Sequence, residues 1–178
     1  MLKLTSVLLA CLAAAPAFAL EVTGVKPAGA KGAALADFSF GAVAVSSVSW
    51  RGGAVVMPAT EVNGRTYSDI KLLNRAFYAR IEACFRRGCV RPAKPPKDPS
   101  FKVLALKPLR SKVRVANAQV SFDGDLLVVA GVMASRREPG TFWVAFPPEL
   151  SFSSPSFKSA VESGVIDAWV KRGKKSLK

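Results

Sequence analysis

The sequence contains no histidine. This removes the side chain that changes charge nearest neutral pH, and with it the Ser-His-Asp and Cys-His arrangements and the usual catalytic zinc site. Three cysteines in 178 residues are too few for a disulfide scaffold or a four-cysteine metal site. No Walker or G-x-G-x-x-G sequence is present to cradle phosphates. Acids are scarce as well: 12 Asp+Glu face 26 Lys+Arg, a formal net charge of +14. These absences point away from an enzyme and predict no cofactor and no metal.

Half of the residues are hydrophobic, which is enough for a core and excludes a disordered basic tail. The first 19 residues, MLKLTSVLLACLAAAPAFA, read as a signal peptide. Lys3 is a short positive region, Leu4 to Ala15 is mostly apolar, and Ala17-Phe18-Ala19 is a small-x-small cleavage site. The expected mature protein starts at Leu20 and is periplasmic or extracellular. Leu8-Leu9-Ala10-Cys11 also resembles a bacterial lipobox, so a lipoprotein is the alternative. Beyond this segment the longest apolar run, Leu126 to Ala134, falls well short of the roughly 20 residues of a spanning helix and reads as a buried strand.

The mature sequence is written twice. Val22-Thr-Gly-Val25-Lys26-Pro27 matches Val103-Leu-Ala-Leu106-Lys107-Pro108. Ser39-Phe40 matches Ser121-Phe122, and Val55-Val56-Met57-Pro58 matches Val144-Ala145-Phe146-Pro147. The block Ile81 to Gly88 matches Ile166 to Gly173. The order is preserved and the spacing drifts, as loop insertions and deletions would make it. The boundaries expected are a first repeat at 20–88, a Pro-rich basic linker at 89–100, a second repeat at 101–173 and a basic tail at 174–178.

Each repeat reads as strands followed by one helix. In the first, Val43, Val45 and Ser47 alternate up to Trp50, Arg51-Gly52-Gly53 is a turn, and Ala54 to Met57 is the next strand. Asn63-Gly64 is a second turn. Ser68 is read as a helix N-cap, with Ile70, Leu73, Phe77, Ile81 and Cys84 as the buried stripe and Gly88 past the end. In the second, Val113, Val115, Ala118, Val120 and Phe122 mark a strand, and Asp123-Gly124 is a hairpin signal. Leu126 to Met133 and Thr141 to Phe146 are strands divided by Pro139-Gly140. Ser154 caps a helix with Pro155 in its first turn and a stripe of Phe157, Val161, Val165 and Ala168. Ser68-Asp69-Ile70-Lys71 also fits the S-x-x-K pattern of Ser-Lys nucleophiles, but no K-T-G accompanies it and Ser68 is better explained as the cap.

These motifs together resemble the SpoVG family of bacterial stage V sporulation and septation regulators. The resemblance rests on Val22-Thr23-x-Val25, Val45-Ser-Ser-Val48, Gly53-x-Val55-Val56-Met57-Pro58, Asn63-Gly64-x-x-Tyr67-Ser-Asp69-Ile70 and Ile81-x-Ala83. The second copy keeps Val103, Trp143 to Pro147 and Ile166-Asp167-Ala168, without the Asp-Ile block. It implies an α+β fold of two tandem SpoVG-like units, each an antiparallel sheet followed by a C-terminal helix, packed as an intrachain pseudo-dimer in a monomeric chain. It also implies nucleic-acid binding without catalysis. Two features depart from the family. Its members are cytoplasmic, and their Met-Pro is followed by a basic Ser-Lys-Arg stretch, where this sequence has Ala59-Thr60-Glu61 and Pro148-Glu149-Leu150.

Charge is the strongest remaining signal. Candidate polyanion-binding residues are Arg86, Arg87, Arg91, Lys94, Lys97, Arg136, Arg137, Lys171, Arg172, Lys174 and Lys175. A field of this sign attracts nucleic acid, another polyanion or an anionic lipid surface. The alternative partner is a protein or an anionic envelope polymer. Phe38, Phe40, Phe122, Phe142 and Trp143 fall on strand positions and read as core rather than as stacking platforms. In an oxidising compartment Cys84 and Cys89 are expected to form a disulfide from the last helical turn to the linker.

Overall fold

Alternating apolar residues in both halves build antiparallel sheets that shield their inner faces with helices, an α+β architecture. A computed structural model describes residues 20–27, 34–89 and 97–175. Residues 1–19, read above as a signal peptide, and most of the stretch read as a linker lie outside the described residues. In chain order the elements are β1 Gly24–Pro27, β2 Ala34–Phe40, β3 Val43–Arg51, β4 Ala54–Val56, β5 Thr60–Val62, β6 Arg65–Tyr67, β7 Ile70–Leu72 and α1 Arg75–Arg87, then β8 Phe101–Pro108, β9 Arg114–Phe122, β10 Leu126–Ala134, β11 Phe142–Ala145, β12 Leu150–Phe152 and α2 Pro155–Lys175.

The first sheet runs β1-β2-β3-β12, with β4 also on β3, and the second runs β11-β10-β9-β8, with β7 also on β10. Strand β7 therefore leaves its own half to join the second sheet, and β12 leaves its half to join the first. The registers correspond. Val45 lies between Phe38 and Leu150, and Val43 between Phe40 and Phe152. Val128 lies between Val120 and Ile70, and Leu126 between Phe122 and Leu72. β5 and β6 form a separate small hairpin. Asn63-Gly64 and Asp123-Gly124 make the tight turns foreseen for them, each with φ positive at both residues, the backbone a type I′ hairpin turn requires.

Aromatic side chains fill the layer between sheets and helices. On the first sheet, the Phe77 and Phe85 rings of α1 lie edge-on to Phe40 and Phe38, at 5.1 and 5.3 Å between centroids. On the second, Phe157 of α2 meets Phe101 and Phe122 at 6.1 and 6.2 Å. Val161 and Val165 follow it into the core. Phe152, carried on β12, meets Phe146 at 4.9 Å and Phe122 at 6.4 Å. Buried residues of both sheets thus belong to one cluster.

The structure corrects the start of the first helix. Asn74, not Ser68, is its N-cap, accepting a hydrogen bond from the Ala76 N–H. Ile70 to Leu72 is a strand because β10 has free backbone groups beside it. The Val129 N–H donates to the Asp69 carbonyl and the Leu73 N–H to the Asp125 carbonyl, both at 2.7 Å. Ile70 is buried, whereas Leu73, counted in the helical stripe, is 47% exposed. Ser68 consequently precedes a strand and Lys71 lies within it, where residues three apart point to opposite faces, so they form no helical Ser-Lys pair.

Two sequence matches also shift. Ser39 faces Gly24 and Ser121 faces Lys102, so Val25, not Val22, occupies the register position of Val103. Ser154 caps α2 by accepting from the Phe157 N–H. Counting from the caps, Phe77 corresponds to Phe157 and Ile81 to Val161, rather than to Ile166. The Ser39-Phe40 and Val55 matches hold in register: Phe40 and Phe122 open equivalent ladders, and Val55 and Val144 pair with equivalent residues of β3 and β10.

The strand assignment of Ile70 has a direct consequence. Ile70→Ala should destabilise the protein by about 2–5 kcal/mol through lost burial and a cavity, whereas Leu73→Ala should stay within about 0.5 kcal/mol. Urea denaturation of both variants measures the difference; equal costs would return both residues to one helical stripe.

Candidate nucleic-acid interface

The candidate cations separate into two surfaces. Arg86 and Arg87 lie exposed in the last turn of α1, where positive side chains complement the helix carbonyls. Arg86 is already engaged: its Nε lies 3.4 Å from a Glu82 carboxylate oxygen, and its guanidinium stacks 5.7 Å from the Trp50 ring centre. Lys97 is exposed where the chain returns from the linker. Its carbonyl sits against the turn between β2 and β3, where a Cβ on Gly41 would stand only 2.9 Å away. Arg91 and Lys94 lie outside the described residues, as do the side chains of Lys174 and Lys175.

The second surface is one end of the second sheet. The turn between β8 and β9 and the turn between β10 and β11 are neighbours there: the Leu109 N–H donates to the Val115 carbonyl, the Ala134 N–H to the Val113 carbonyl and the Ser135 N–H to the Thr141 carbonyl. Arg136 and Arg137 are exposed on the second of these turns. Its backbone is held by the Ser135 hydroxyl, which accepts from the N–H groups of Arg137 and Glu138. The end of α2 packs beside them. Trp169 meets Phe142 edge-on at 6.2 Å, and Arg172 donates to the Leu106 carbonyl at 2.9 Å. Lys171 is exposed on the same turn of helix.

This placement adds four residues absent from the candidate set: Lys107, Arg110, Lys112 and Arg114. The first three are exposed and the fourth is half-buried. With Arg136, Arg137, Lys171 and Arg172 they bring eight cations to one end of the sheet, where Glu138 and Asp167 are the exposed acids nearest in the chain. The signal was present in the sequence as a basic stretch around the linker. What was missing was that two turns and a helix end distant in sequence converge.

An aromatic ring accompanies these cations. Met133 pairs with Arg114 on one side and Trp143 on the other, so the three form a row on the outer face of the sheet. Trp143 is 51% exposed, which corrects its reading as core, while Phe38, Phe40 and Phe122 are fully buried as expected. Trp143 is exposed because α2 covers the opposite face, which carries Val144 and Val132. Arg114 reaches over Gly131, where a Cβ would meet its Nε at 2.8 Å; among the described residues that Nε has no hydrogen-bond partner.

Cys84 and Cys89 form a disulfide. It fastens the last turn of α1 to the residue after Gly88, whose N–H donates to the Cys84 carbonyl. Among the described residues no cluster of three or more His, Cys, Asp or Glu is placed to hold a metal, and no helix is long and apolar enough to cross a membrane. No protein-family model, curated protein or solved structure matches the chain.

The disulfide closes a loop with a sequence separation of 5, so it constrains the unfolded chain only modestly. Its removal in a Cys84→Ala, Cys89→Ala double variant should cost about 2 kcal/mol by the loop-closure estimate. Denaturant titration of the oxidised wild type against the variant checks this, and alkylation without reductant should label neither wild-type thiol.

Proposed function

We propose that the protein is an exported, non-enzymatic binding protein made of two tandem SpoVG-like units, and that the basic end of its second sheet holds a polyanion, nucleic acid by the resemblance. The convergence of eight cations on two adjacent turns, the strand ends beside them and a helix end carries the reading. Turn and helix-end cations are suited to phosphates, because they lie outside the core and keep their charge without desolvation. Trp143 beside them offers a face on which a base can stack. The corresponding registers of β3 with β12 and of β10 with β7 support the tandem, pseudo-dimeric arrangement. Each half completes its central strand with a strand of the other, as two copies of a strand-exchanging unit do when joined in one chain. The disulfide is consistent with an oxidising destination.

A second reading draws on the exposed apolar side chains at this end. Leu109, Val113 and Trp143 are all at least 36% exposed, and with the cations they would equally suit an anionic envelope polymer or a protein partner.

Salt and base dependence separate the two. If about six phosphates are neutralised, log K should fall with log salt at a slope of about −5. Changing Arg110, Lys112, Arg136 and Arg137 together to Ala should make that slope shallower by about 3 and weaken all sequences alike. The Arg86→Ala, Arg87→Ala pair tests the first surface in the same assay. Trp143→Ala should weaken single-stranded nucleic acid by about tenfold and leave duplex binding nearly unchanged, since stacking needs an accessible base. A slope near zero would reject the polyanion. A steep slope with no effect of Trp143→Ala would favour a polymer without bases.

A monomeric chain is expected from the pseudo-dimeric arrangement, since each sheet already has its exchanged strand. Sedimentation equilibrium should give the single-chain mass at all accessible concentrations.

A further inference from the structure

Asp125 is an acid in the interior whose carboxylate meets two separate parts of the chain, the segment before β1 and helix α1. It lies just after the β9–β10 hairpin turn and is 2% exposed. One of its carboxylate oxygens, Oδ2, accepts a hydrogen bond from the Leu20 backbone nitrogen at 2.8 Å. The same oxygen lies 3.6 Å from Arg80 Nη2 of α1, whose side chain is 38% exposed. Leu20 itself is 2% exposed and belongs to the core cluster.

A buried carboxylate is costly unless fully paired. Among the described residues its carboxylate meets one peptide N–H and, at 3.6 Å, one cation on a half-exposed arm, a thin complement for it. Leu20 is also the residue that follows Ala17-Phe18-Ala19. We infer that the Asp125 carboxylate is the seat of a processed N-terminus: hydrolysis of the Ala19–Leu20 bond converts the Leu20 nitrogen into an ammonium that pairs with Asp125 inside the fold. The inference rests on the signal-peptide part of the reading above, and takes its own evidence from the position of the Leu20 nitrogen.

The step balances. Water adds across the peptide bond under a signal peptidase; Ala19 leaves with the carboxylate and the Leu20 nitrogen gains two hydrogens. An α-amino group is mostly protonated at neutral pH. The nitrogen that donated one hydrogen bond as an amide now carries a full positive charge and three donors, opposite the same oxygen. The order of events is set by burial. A peptidase must hold the residue after the scissile bond, and Leu20 is enclosed in the folded protein, so cleavage precedes docking. The finished ion pair then ties the N-terminus, the β9–β10 turn and, through Arg80, helix α1.

The comparison is between the full 178-residue chain, a chain beginning at Leu20, and the latter with its α-amine acetylated. Acetylation restores an uncharged N–H at the same atom. The chain beginning at Leu20 should have an unfolding constant at least tenfold smaller than the other two. Asp125→Asn should raise that constant by a factor about ten larger in the free-amine chain than in the acetylated one, a coupling that measures the ion pair itself. Should Asp125→Asn fail to fold, reductive methylation of the native wild type keeps the test open: the Leu20 α-amine should react at least tenfold more slowly than in denaturant. Equal stability of the three chains, or an α-amine that methylates as fast when folded as when unfolded, would overturn the inference. N-terminal sequencing of the protein recovered from its own cells tests processing separately: a retained Met1 would overturn the export reading and the processing step together, whereas a mature Leu20 terminus with equal stability of the three chains would overturn the ion pair alone.

Discussion

The two central strands, β3 and β10, each need more partners than their own half supplies, and this requirement organises the molecule. Each is paired along one edge by the preceding strand of its half. The other edge is shared between a strand of the same half and one from the opposite half. Backbone groups left unpaired at the centre of a buried sheet are expensive, so β7 and β12 cannot be withdrawn without exposing the middle of both sheets. Helix positions follow from this, because each exchanged strand leads within a few residues into a helix, β7 into α1 and β12 into α2.

The same constraint explains why the ends differ in chemistry. Exchange buries the β9–β10 turn side of the second sheet, where Leu20, Asp125 and Arg80 meet. Its opposite end is left to solvent, and there the loops carry Arg110, Lys112, Arg136 and Arg137. That end stands clear of the packing between halves. Burial at one end and charge at the other are thus two outcomes of one strand arrangement.

Much of the strand pattern was legible because alternation and turn chemistry are local. Val43 to Trp50, the Asn63-Gly64 and Asp123-Gly124 turns, Leu126 to Met133 and the Ser154-Pro155 helix start all depend on residues within one element. Ile70 was misread because its three- and four-residue spacing to Leu73 and Phe77 is the same whether or not the first turn is helical. Trp143 was misread because alternation defines two faces but does not say which one a helix will cover. Arg110, Lys112 and Arg114 were visible as charge but not as part of a surface, since proximity of turns is set by pairing across the sheet.

By itself the sequence determined the antiparallel strand content, the two helices, the closeness of Cys84 and Cys89, and the excess of positive charge, since each follows from composition or from neighbours a few residues apart. Tertiary structure alone decided that β7 and β12 pair in opposite sheets, that eight cations share one end, and that the Leu20 nitrogen meets Asp125. Those depend on contacts between residues distant in the chain, Val43 with Phe152 and Leu20 with Asp125 among them. Such contacts form because unpaired strand edges and buried charge must find partners wherever the packed chain places them.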